Sequence, residues 1–91
     1  MAGSGHEDVL KALEGFNAAL RSEPPSELTA RLSHQSERLN QAITRYHAEG
    51  IRFAAFTLIR MLDKAGPELR QDTHAALQRL RDAIEASGLP H

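Results

Sequence analysis

Four times, at seven-residue intervals, an arginine stands directly before a large apolar residue: Arg31-Leu32, Arg38-Leu39, Arg45-Tyr46 and Arg52-Phe53. A guanidinium is planar, multi-donor and permanently charged, so a row of them can hold phosphates or carboxylates. On a continuous helix seven residues is close to two turns, which aligns the arginines in one stripe and the apolar side chains in another beside it. Arg31, Arg38, Arg45 and Arg52 are therefore the candidate anion-binding residues, for nucleic acid or an acidic protein helix. The competing reading, which the sequence favours, is a solvated flank. In it the aliphatic stems cover an apolar seam and the heads pair with acids such as Glu27, four residues before Arg31. Lysine is absent from the repeat, and few aromatics accompany it for base stacking.

Other chemistry finds little support. His6, His34, His47, His74 and His91 include no pair at three- or four-residue spacing, and no Glu-x-x-His occurs, so the carboxylate-bridged di-metal signature of helical bundles is missing. A metal site would need an interface to gather the histidines. Tyr46-His47 beside Arg45 suggests proton transfer, but Tyr46 occupies a seam position where its hydroxyl reads as a polar tip in the packing. His47 lacks the basic residue and small-residue run of a helical phosphotransfer histidine. No serine sits on a Gly-x-Ser-x-Gly elbow and no glycine loop is built for phosphate. With no cysteine there is no thiolate chemistry, disulfide or thiolate-held metal. No catalytic residue, metal ligand or cofactor is implied.

The net charge is −1, which gives no global attraction to nucleic acid or an anionic membrane surface. Residues 1–5 carry neither the positive nor the apolar region of a secretory signal, and the expected location is cytoplasmic. The longest apolar-rich stretch, 51–62, is interrupted by Arg52, Thr57 and Arg60 and falls short of the ~20 residues that span a bilayer.

The elements that must position these residues are helices. Residues 1–5 read as a disordered lead-in, 6–87 as a single helical domain and 88–91 as a tail. The first helix, about 6–21, follows a Ser4/Glu7 capping-box spacing and shows Val9, Leu13, Phe16 and Leu20 on one face. Ser22-Glu23-Pro24-Pro25 ends it, with Ser22 able to cap the next helix. The second helix is expected over about 23–65, roughly 40 residues or about 60 Å. No proline interrupts it. The apolar phase runs on through Gly50, which reads as a close-contact position within a continuous helix. Gly66-Pro67 stops it, and a third helix over about 67–86 carries Leu69, Thr73, Leu77, Leu80 and Ile84 on its apolar face. Gly88, Leu89 and Pro90 close it, Gly88 in the left-handed conformation.

The expected fold is thus all-α: a three-helix antiparallel unit around one long central helix. Short loops let the first helix cover the first half of the second, and the third helix its other half. The segment Ile51–Leu62 would then remain apolar on sides that nothing covers. A second protomer is the simplest cover, giving a dimeric helical bundle through Leu32, Leu39, Ile43, Tyr46, Phe53, Phe56 and Ile59. The structural alternative is a compact monomer in which the second helix bends near Gly50 and wraps its own core. The expected function is that of a non-enzymatic interaction protein (scaffold, adaptor or regulatory subunit) that self-associates. The alternatives are a nucleic-acid-associated protein using the arginine stripe and a small-ligand or metal-binding bundle.

Overall fold

The computed structural model of the chain describes residues 4–88. Four α-helices are present among them: α1 (Ser4–Ser22), α2 (Glu27–Thr44), α3 (Ala48–Ala65) and α4 (Gln71–Ser87), with a 3₁₀ turn at Gly66–Glu68 between the last two. No strand occurs among the described residues. The all-α expectation is met. The continuous second helix is not, because the chain turns back at residues 45–47. A 60 Å rod could not fit a molecule whose longest dimension is 37 Å.

The turn is built from backbone and side-chain bonds that no glycine announces. The Tyr46 amide donates to the Ile43 carbonyl at 3.2 Å and the His47 amide to the Ala42 carbonyl at 2.9 Å. This is the paired closure of a Schellman motif, whose left-handed position normally holds glycine. Here Tyr46 holds it, at φ 57°. His47 then caps α3, its Nδ1 accepting the Gly50 amide at 2.9 Å. A Cβ on Gly50 would stand 2.6 Å from that nitrogen and 3.2 Å from the Ala42 Cβ. Gly50 is thus a close-contact residue, as its sequence context suggests, but inside the first turn of a new helix rather than midway along an old one.

The other ends are as local. Ser26, not Ser22, caps α2: its Oγ accepts the Thr29 amide at 3.1 Å while Thr29 Oγ1 accepts the Ser26 amide at 2.9 Å. Ser22 remains in α1 and donates back to the Ala18 carbonyl. Gly66, at φ 51°, ends α3, and Gly88, at φ 78°, ends α4 in the left-handed region expected of it. The Ser4 side chain and residues 89–91, with the expected Leu89 fold-back and Pro90 stop, lie outside what is described.

Packing follows from the bend. With α3 folded against α2, the two halves of the supposed long helix cover each other, and α1 makes its most extensive pairing with α4. The expected division, with each short helix covering half of a long one, is corrected accordingly. One core results. Val9, Leu13, Phe16 and Leu20 of α1 meet Leu32, Leu39 and Ile43 of α2, Ile51, Leu58 and Leu62 of α3, and Leu77, Leu80 and Ile84 of α4. Two buried polar links tie the helices: Ser36 Oγ donates to Asn17 Oδ1, and Glu23 joins α1 to α4. One Glu23 carboxylate oxygen accepts the Arg70 amide at 2.8 Å and the Thr73 hydroxyl. Glu23 thus serves as a long-range cap for α4, which has no side-chain cap of its own. The Thr73 and Arg70 bonds, with the Arg70 and His74 charges nearby, hold its carboxyl below the ordinary value against the opposing effect of burial.

Candidate interaction face

The bend sorts the expected interface residues into two sets. Leu32, Leu39 and Ile43 have no exposed surface, and Ile59 is half-buried against the same core. Leu32, Leu39 and Ile43 are corrected from association surface to interior, because α3 of the same chain occupies the place a partner was expected to fill, while Ile59, on α3 itself, keeps part of its surface. Tyr46, Phe53 and Phe56 are the large apolar residues left open, at 72%, 59% and 55% exposure. A single exposed ring is ordinary, but two on neighbouring turns of one helix face form a patch.

That patch lies opposite the buried side of α3. Ile51, Ala54, Ala55, Leu58, Leu62 and Ala65 face the core. Glu49, Phe53, Phe56, Arg60 and Lys64 recur at three- and four-residue spacing on the other side and are all exposed. The Arg60 guanidinium carbon stands 5.6 Å from the centre of the Phe56 ring. A cation over an aromatic face at a surface contributes about 0.5–1 kcal/mol, and here it orients the guanidinium along the helix. Two shallow depressions flank the rings. Glu49 and Arg52 border one with Phe53 and Phe56; Thr57, Arg60, Met61 and Lys64 border the other.

The arginine stripe does not survive as a line. Arg31 and Arg38 lie on α2, Arg45 caps its end, and Arg52 lies on α3, beyond the turn. Arg31 is held by Glu27 at 2.9 Å, an exposed pair of the expected kind. Arg38 and Arg45 border the α2–α3 groove with His47, Gly50 and Phe53. Arg52 borders the aromatic patch. A further apolar groove runs between α3 and α4, where Phe56 and Ile59 face Leu77, Leu80 and Ile84 over Leu39.

The histidines do not converge. His34 and His47 are exposed. His74 is half-buried, with Nε2 2.7 Å from the Gly66 carbonyl oxygen, where it braces the 3₁₀ turn. His6 and His91 fall outside the described side chains. Among the described residues no group of three or more histidine, cysteine, aspartate or glutamate side chains is placed to hold a metal ion. No described helix is long and apolar enough to cross a membrane. Sequence reasoning singled out Phe53 and Phe56, which the fold leaves exposed, but missed Glu23, His47 and Tyr46 as structural determinants. The first acts across 47 or more residues, and the other two occupy cap and turn positions with residue types that seldom signal them.

Compared with family models, curated proteins and solved structures, the chain matches none.

Proposed function

We propose that this chain is a non-enzymatic helical interaction protein, a scaffold, adaptor or regulatory subunit, that self-associates through the outer face of α3. The observation that carries the reading is the open Phe53–Phe56 pair, with Arg60 laid on the second ring. Phenylalanine left more than half exposed on a well-packed helix forfeits burial worth about 1–2 kcal/mol per side chain, which a partner surface would recover. The proposed surface is narrower than the long helix expected from sequence, since Leu32, Leu39 and Ile43 of the α2 half are buried.

The test is sedimentation equilibrium of the wild type and of Phe56→Asp from micromolar to millimolar concentration. The wild type is expected to exceed the monomer mass. Phe56→Asp is expected to be monomeric while melting within a few degrees of the wild type, because an exposed side chain contributes little to the fold. An associated species that Phe56→Asp leaves intact would move the binding face elsewhere. A wild type that stays monomeric throughout would reject self-association.

A further inference from the structure

The outer face of α3 carries charge in an order that its rings alone do not reveal. Glu49 and Lys64, Phe53 and Arg60, and Phe56 and Thr57 form three pairs centred on one midpoint, between residues 56 and 57. On an α-helix these six positions fall within an arc of about 100°. A two-fold axis through the midpoint, perpendicular to the helix, would bring the members of the first two pairs opposite their complements in a second copy, with Phe56 and Thr57 beside the axis. Acid would meet base, and ring would meet guanidinium.

We infer that α3 pairs with α3 of a second copy in an antiparallel two-fold dimer, Glu49 opposite the partner's Lys64 and Phe53 opposite the partner's Arg60. This rests on the reading of the outer face of α3 as the binding face. In antiparallel packing like flank meets like flank, so Arg52 of one copy approaches the partner's Asp63 as well, both lying on the same edge of the face. A parallel dimer would instead oppose Glu49 to Glu49 and Lys64 to Lys64. The antiparallel order also sets the two helix dipoles head to tail. Glu49, Arg52, Asp63 and Lys64 are in no ion pair within the chain: the one ion pair among the described residues is Arg31 with Glu27. Arg60 is already drawn onto the face by Phe56. A single helix face is at the small end of specific interfaces, so dissociation constants of about micromolar or weaker are expected.

The experiment is sedimentation equilibrium on the full chain carrying Glu49→Lys, Lys64→Glu, both together, and the two single variants mixed. Each single variant turns two cross-dimer attractions into repulsions and is expected to weaken association about tenfold. The double variant restores both attractions, and so does a heterodimer of the two singles, so both samples are expected to return towards wild-type association. Thermal melts separate this from folding. Glu49 suits the start of α3 and Lys64 its end, so the double variant should be the least stable monomer. Recovery of its dimer cannot then come from a firmer fold. Single variants that associate as tightly as the wild type, while Phe56→Asp still dissociates it, would overturn the antiparallel register and leave the binding face standing. A monomeric wild type would overturn both.

Discussion

Helices α2 and α3 have equal length and share one sequence repeat, yet they spend it in opposite ways. In α2 the apolar members Leu32 and Leu39 are fully buried and their arginines face solvent. In α3 the apolar member, Phe53, is exposed beside an exposed Arg52, and the core is filled by Ile51, Ala54, Leu58 and Leu62 instead. The cause is the turn at Tyr46-His47. Continued from Leu32, Ser36, Leu39 and Ile43, the buried phase of a straight helix would reach Tyr46, Gly50, Phe53 and Thr57. After the turn the buried set is displaced, and that phase points outward. A repeat continuous in sequence has become interior in one helix and surface in the other. Periodicity identifies which residues share a face, but the bend decides what that face meets.

The largest expected effect would break this contrast outright. Leu39→Ala opens a cavity in a residue with no exposed surface and is expected to destabilise the fold by about 2–5 kcal/mol in urea unfolding. Phe53→Ala removes a larger side chain at the homologous place in the repeat and is expected to cost no more than about 0.5 kcal/mol in dilute monomer. Comparable losses for both would mean that Phe53 is covered within the chain, and the exposed face of α3 would have no standing.

The core was more legible than the architecture. Val9, Leu13, Phe16 and Leu20, the Leu32–Leu39 seam, and Leu77, Leu80 and Ile84 were all readable from helical spacing, and all are buried. What hid the fourth helix was local. A left-handed turn residue is normally advertised by glycine or asparagine, and a cap by serine, threonine or aspartate. Here tyrosine and histidine take those places, and Gly50 stands three residues past the cap as an acceptable mid-helix residue. The candidate face was half legible for the same reason. Phe53 and Phe56 stood out as apolar, but α2 could be removed from the interface only once the turn was known. Glu23 was out of reach, since nothing local relates it to Arg70 and Thr73.

Glu23 bears on why α3 has an open side at all. By bonding the start of α4 to the end of α1, it helps hold α4 on α1 rather than over α3. Glu23→Ala removes an ionised acceptor and strands the Arg70 amide and Thr73 hydroxyl, with an expected loss of about 1–3 kcal/mol at neutral pH. The pH dependence has a definite sign. The folded carboxyl lies below the ordinary value of 4.5, so its stabilisation is fully present above that pH and is lost as pH falls through the folded value. The gap between wild type and Glu23→Ala should therefore narrow as pH falls below about 5. A gap that widens as pH falls below about 5 would show that the group bonds as a neutral acid and that another contact holds α4 in place.

The smallest effect expected here sharpens the comparison at the turn itself. Tyr46 adopts φ 57°, a conformation that costs an ordinary side chain on the order of 1 kcal/mol, and it is mostly exposed. Replacing it with glycine relieves that strain at the cost of a more flexible unfolded chain, so Tyr46→Gly is expected to gain up to about 0.5 kcal/mol in urea unfolding. His47→Ala, which removes the acceptor of the Gly50 amide, is expected to lose about 1 kcal/mol. If the chain reverses between α2 and α3 as described, the two neighbours must move stability in opposite directions. A continuous helix through residues 45–47 would give the reverse pattern. Glycine in place of Tyr46 would then cost about 0.5 kcal/mol through helix propensity, and alanine in place of His47 would gain a few tenths. The pair of substitutions thus reads directly which of the two backbones the chain adopts.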